Sequence, residues 1–156
     1  MEPPRPPLPA FSYEDAVIKV RKGEDAWNTK NPEMIAQAYS LDSQWRNRSE
    51  IFTGREAIIA FLKRKWEKEI DYQLVKEIWP HSDNRIAVRF TYEWGDSKVQ
   101  WYRSHGNENW QFDADGRMTQ RHASINDMLI TQAERKFGWQ GVIRPPDFPS
   151  LTELGL

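Results

Sequence analysis

Apolar residues recur at steps of three and four along the first part of the chain, and from residue 70 the period changes to two. Tyr13, Ala16, Val17, Val20 and Trp27 fall on one helical stripe behind a capping Ser12, which predicts a helix ending near Thr29 and Lys30. Asn31 and Pro32 restart the helix as cap and first residue, with Met34, Ile35, Ala38 and Tyr39 on its buried face. A short strand is expected over 41–48. Thr53, Gly54, Arg55 and Glu56 read as a capping box opening a third helix, whose stripe is Ile58, Phe61, Leu62 and Trp66. Strands follow over 71–79, 85–94, 99–112 and 117–125, joined by turns at Asp83 and Asn84, at Gly95 and Asp96, and at 113–116. In the second of these, Ile86, Val88, Phe90, Tyr92 and Trp94 share one face, with Arg85, Arg89 and Glu93 on the other. Thr131 to Glu134 is a further capping box, opening a short helix that Gly138 ends.

Helices first and antiparallel strands afterwards make an α+β layer fold. The expected layout is a proline-rich arm over 1–11, one domain over 12–140 and an extended tail over 141–156. Pro3, Pro4, Pro6, Pro7 and Pro9 make the arm polyproline-like, and we read it as a solvated or docked tail before an SH3-type ligand.

Composition removes several classes of function. A chain of 156 residues with 22 basic and 23 acidic side chains has a formal net charge of -1, with no basic excess for nucleic acid. Without cysteine it has no disulfide, thiol nucleophile or cysteine-held metal. It has no apolar run of membrane-spanning length and no apolar leader at its start, so no membrane partner is expected and the setting is read as cytoplasmic. His81, His105 and His122 lack metal-ligand spacing, no serine sits in a Gly-x-Ser-x-Gly elbow, and the glycines are scattered singly. No cofactor or metal is therefore expected. The 8 Trp, 5 Tyr and 7 Phe point instead to a core of large rings, suited to enclosing a cavity.

Three stretches carry a resemblance. Tyr39 to Asn47 looks like the entry strand, Thr53 to Phe61 the third helix, and Asn109 to Met118 the last hairpin of the nuclear transport factor 2-like superfamily, which includes SnoaL-like and ketosteroid-isomerase-like proteins. The match spans about residues 12–130, and the run 101–110 with the ending 144–156 is similar to an uncharacterised group within it. The resemblance implies a cone-shaped, curved antiparallel sheet packed on N-terminal helices, of the cystatin-like type, with a pocket in the cone. It does not carry over the known chemistries. Where the isomerases have a carboxylate base this chain has Asn47, and where they have a tyrosine it has Gly23; only the protonated-acid position keeps a carboxyl, Glu108. Against the superfamily's epoxide hydrolases Asn47 fits, but Trp45 replaces a tyrosine and Ala123 stands where a carboxylate is needed.

If Asn47 points inward, alternation turns Trp45 inward, and Glu108 likewise brings Trp110 and Phe112, unless Gly106 marks a bulge. The resemblance points Arg121, Ala123 and Ile125 inward from the last strand. The expected site is thus a pocket walled by Trp45, Trp110, Phe112 and Ile125, with Glu108 as candidate acid or base and Asn47 and Arg121 as polar groups. Alone among rings, Glu108 would have a raised pKa and be fit for acid–base work; paired with Arg121 it would stay ionised as a strut or ligand group. Isomerase- or hydrolase-like chemistry without metal is one outcome, and binding a small apolar molecule without chemistry is another. The alternative is a protein-interaction module whose cone is filled by side chains. Trp101 and Tyr102, rings on both faces of one strand, suggest a homodimer through the sheet.

Overall fold

The computed structural model describes residues 1–156. Ser12 and Asp15 cap one another reciprocally and start α1, Tyr13–Asn28. Asn31 caps α2, Pro32–Ala36, by accepting from the Met34 N–H. The chain continues through β1 (Tyr39–Asn47), β2 (Glu50–Thr53), α3 (Arg55–Lys68), β3 (Ile70–Ser82), β4 (Arg85–Gly95), β5 (Trp101–Phe112) and β6 (Met118–Ile130). A 3₁₀ turn at Gln132–Glu134 and a last short helix, α4 (Leu151–Leu154), complete it.

The strands form one sheet in the order β2-β1-β6-β5-β4-β3. β1 lies parallel to β6 and every other neighbour is antiparallel, so the curved sheet is mixed and open, not wholly antiparallel. The helices cover one face. Ile86, Val88, Phe90, Tyr92 and Trp94 are all buried there, as their alternation predicts.

Several local expectations are corrected. β2 was not foreseen: residues 50–53 pair back on β1, so Thr53 ends a strand opposite Gln44 instead of capping a helix. Gly54, at φ +92, takes the cap position of α3 with no side-chain bond. Gly106 makes no bulge, because the β4–β5 register runs unbroken past it. It is glycine because the Phe90 ring lies across it, and a Cβ there would sit 2.2 Å from that ring. On α1 the buried positions are Ala16, Lys19, Val20, Glu24, Trp27 and Asn28, while Tyr13 and Val17 face outward.

Both chain ends pack onto the body. Val75, Phe137, Trp139 and Leu151 form a second small core on the far face of β3. The capping box at Thr131 yields only the 3₁₀ turn, since the Lys136 and Phe137 amides leave to donate to Glu93. Glu93 is thereby buried on the face where alternation placed it toward solvent. The N-terminal arm is docked. Phe11 is buried edge-on against Phe112, the Arg5 amide donates to Asp115 O, and Glu2 accepts two bonds from Arg55 at 2.9 Å each.

Candidate functional site

Lys76, on β3 between Leu74 and Ile78, points inward by alternation and reaches past the Phe90 ring toward β5. Gly106 permits that path by letting Phe90 lie flat on the sheet. At its end, Lys76 Nζ donates to both oxygens of Glu108 at 3.1 Å. Arg121, on β6 opposite Trp110, donates to Glu108 Oε2 at 3.4 Å and to Asn47 Oδ1 at 3.1 Å. Trp110 Nε1 also donates to Glu108. The Arg121 guanidinium rests over the Trp27 and Trp45 rings, 4.9 and 4.5 Å from their centroids. Ala123, opposite Glu108, leaves the space that these long side chains fill.

Only 2% of the Glu108 surface is exposed. Burial alone would raise its pKa, but Lys76 and Arg121, with the donors on Lys76 and Trp110, outweigh it and hold the carboxyl below its ordinary value. Burial draws the Lys76 ammonium down, and Arg121 adds to that, against the pull of Glu108. The cluster holds two cations and one anion, and two further buried donors, Trp45 Nε1 and Arg121 Nε, have no acceptor. The waist of the cone thus carries a local excess of positive charge and is buried.

A ring-lined cavity lies elsewhere, at the mouth of the cone under the N-terminal arm. It has a volume of about 320 Å³. Trp27, Tyr39, Trp110 and Phe112 wall it, and Pro4, Arg5 and Pro6 of the arm close its outer side. Trp110 separates cavity and cluster: its ring faces the cavity, packed 3.1 Å from where a Gly23 Cβ would stand, while its N–H is turned to Glu108. Burial raises the Tyr39 hydroxyl to about 12 against the opposing pull of Arg121, so it stays protonated and accepts from Trp27 Nε1 at 3.2 Å.

Three cations line this cavity and no carboxylate does. Lys19 Nζ donates to Arg5 O and Gly116 O, each at 2.7 Å, and Lys22 Nζ to Pro6 O at 2.9 Å. Burial pushes the Lys19 pKa down to about 8, with Lys22, Arg5 and Arg117 adding to the effect and Asp113 opposing it.

The sequence-predicted set is therefore divided. Glu108, Asn47, Arg121 and Trp45 meet in the sealed cluster, Trp110 and Phe112 face the mouth cavity, and Ile125 is a half-buried neighbour of the core. Lys76, Lys19 and Lys22 were missed. Lys76 was signalled by its inward register between Leu74 and Ile78, and Lys19 by its place with Ala16, Gly23 and Trp27 at helical spacing. The rings that suggested a dimer are only partly exposed: Arg135 sits 3.7 Å over Trp101, and Tyr102 stacks on Trp94. No helix is long and apolar enough to cross a membrane.

The family described as "Protein of unknown function (DUF1348)" matches residues 9–138. No curated protein matches the chain. Among solved structures, the epoxide hydrolase/cyclase-like enzyme SalBIII, of pyran ring formation in the polyether salinomycin, is similar with a TM-score of 0.64 at 10% identity, over 72% of this chain and 92% of that one. A nuclear transport factor 2-like protein of unknown function from Burkholderia pseudomallei has a TM-score of 0.64 at 17% identity, over 71% and 90%. A hypothetical protein with a ketosteroid isomerase-like fold from Catenulispora acidiphila, in complex with trimethylamine, has a TM-score of 0.61 at 12% identity, over 72% and 86%. At these identities the likeness shows the fold: nuclear transport factor 2-like, as the sequence motifs imply.

Proposed function

For a chain that belongs to the DUF1348 family of unknown function, we propose that it binds a small, mostly apolar molecule in the mouth cavity. The observation that carries this is the cavity itself: about 320 Å³, ring-lined, with a few polar groups converging at one side. At about 30 Å³ per water, that space holds roughly ten waters, or a ligand of about ten non-hydrogen atoms. The fold supports the reading, since neighbours with ligand- and enzyme-associated descriptions share the cone.

We place binding at the mouth and leave acid–base chemistry at Glu108 out of the reading. Trp110 stands between ligand and carboxylate, and an ionised Glu108 with its lone pairs taken by Lys76, Arg121 and Trp110 has no proton to give. A homodimer through the sheet and a cytoplasmic setting remain parts of the proposal; sedimentation of the purified chain tests the first and fractionation of cells the second.

A thermal-shift screen of purified protein against small apolar acids, alcohols and lactones tests the binding. A ligand for the folded state raises the melting temperature by mass action. Ala26 lines the cavity, so hits abolished in Ala26→Phe locate the site there. Hits that persist in Ala26→Phe, or no hits at all, overturn the reading.

A further inference from the structure

The arm crosses the mouth as though it were a ligand. Gly116, at φ +81, turns so tightly beneath it that a Cβ would lie 2.2 Å from Arg5 O. Two arm carbonyls, Arg5 O and Pro6 O, sit on the ammonium groups of Lys19 and Lys22, and a third, Pro3 O, accepts from Arg117 at 2.8 Å. Glu2 extends the same pattern: its carboxylate accepts from Arg55 and lies 3.8 Å from Arg117 Nε. Five cations, Arg5, Lys19, Lys22, Arg55 and Arg117, thus surround the mouth, and the arm answers four of them with three neutral oxygens and one carboxylate.

A carbonyl satisfies the hydrogen bond of a buried ammonium but not its charge. Bonds in which both partners are ionised are shorter and roughly twice as strong as neutral ones. In a cavity lined by three cations and no carboxylate, an anion gains from each of them, whereas an amine is repelled by all. We propose that the molecule bound at the mouth is a small apolar carboxylate, or an anion of like shape, whose charged head takes the place of the arm carbonyls on Lys19 and Lys22 while its apolar body lies against Trp27, Trp110 and Phe112. This deepens the mouth-cavity reading and rests on it. The arm is then an internal stand-in for the anion, and entry of the ligand requires its outer part to lift while Phe11 stays buried as an anchor.

Three probes of one shape separate the levels of the claim: 3-phenylpropanoate, 3-phenylpropan-1-ol and 3-phenylpropan-1-amine, titrated calorimetrically into the full chain at pH 7. The expected result is binding of the acid at least tenfold tighter than the alcohol, with the amine weakest. Lys22→Met, at an exposed position that tolerates change, is expected to cut the acid-to-alcohol ratio several-fold, and Lys19→Met to cut it further. Equal binding of acid and alcohol overturns the anion assignment and leaves the cavity reading standing. Binding of none of the three overturns both. A ratio unchanged in both lysine variants overturns the assignment of the head-group site. Amide exchange at Arg5, whose N–H is held by Asp115 O, tests the displacement: it should quicken when the acid binds, and an Arg5 amide that stays protected under saturating acid overturns the stand-in role.

Discussion

Lys76 and Lys19 are both buried amines facing aromatic rings, and they differ in what holds them. Lys76 meets a carboxylate fixed in the middle of β5, among the buried Arg121, Asn47 and Trp110. Lys19 meets two carbonyls, one of them on an arm that reaches the body over its outer surface. A buried charge paired within the sheet is committed to the fold, because moving its partner means moving a strand. A buried charge paired to a strap can change partners while the sheet stays as it is. The wall between these two regimes is a single indole, Trp110, which gives its N–H to one side and its ring to the other.

The largest effect is expected where the waist cluster loses its only anion. Glu108→Gln leaves Lys76 and Arg121 buried without the carboxylate that both of them touch, and removing one partner of a buried pair costs about 3–5 kcal/mol. Urea unfolding should show that loss. Lys76→Met, which leaves Glu108 balanced by Arg121, should cost distinctly less; equal losses would break the view that the excess of cations governs this site. The pH dependence runs the same way. Because the folded carboxyl lies below its ordinary 4.5, its contribution is present above that value and disappears as pH falls through the lowered folded pKa. An acid-unfolding profile is expected to flatten in that window for Glu108→Gln.

Next in size is Gly106→Ala. Its Cβ would meet the Phe90 ring at 2.2 Å, and overpacking of this kind costs about 1–3 kcal/mol. The ring would be pushed off its place beneath Lys76, so the near-ultraviolet circular dichroism should change along with stability. On the cavity side, Gly23→Ala should change stability by less than about 1 kcal/mol, since the gain of alanine over glycine inside a helix is offset by the close approach to Trp110. It is nevertheless expected to weaken binding at the mouth, because the added methyl stands in the cavity wall. A variant that bound as well as the parent would separate Gly23 from the site.

The last effect is one of pH and concerns Lys19 itself. Its folded pKa of about 8 lies below the 10.5 of the free side chain, so the unfolded chain binds more protons between those values and stability should rise with pH across that interval. Lys19→Met should remove this slope from melting temperatures measured between pH 7 and 11. A bound carboxylate should oppose it, by favouring the charged lysine.

How far the sequence foretold this arrangement differs between its two levels. The helix–strand order, the inward face of β4 and the meeting of Glu108 with Arg121 and Asn47 could be read from periodicity and from three family-like stretches, because each depends on neighbours along a strand or on a fixed register. Lys76 was hidden by its own residue type: a lysine is expected in water, and only its place between Leu74 and Ile78 betrays an inward direction. Gly106 was legible as unusual but not as to cause, since a bulge and a ring lying across the strand leave the same letter in the sequence. The mouth was least legible. Its polar side is made by residues 3–6 meeting 19, 22 and 116–117, a contact between a chain end and a helix that no local period encodes.

The docked arm also sets the terms on which any outside molecule competes. A segment tied to the body by a short tether acts on its site at an effective concentration of the order of millimolar, present in every molecule and impossible to dilute. The apparent affinity of a free ligand is its intrinsic affinity scaled by the fraction of chains with the arm lifted. Every occupant will therefore bind the intact chain less tightly than its fit alone allows, and the true fit of the mouth is read by comparing the intact chain with one whose Arg55 no longer holds Glu2.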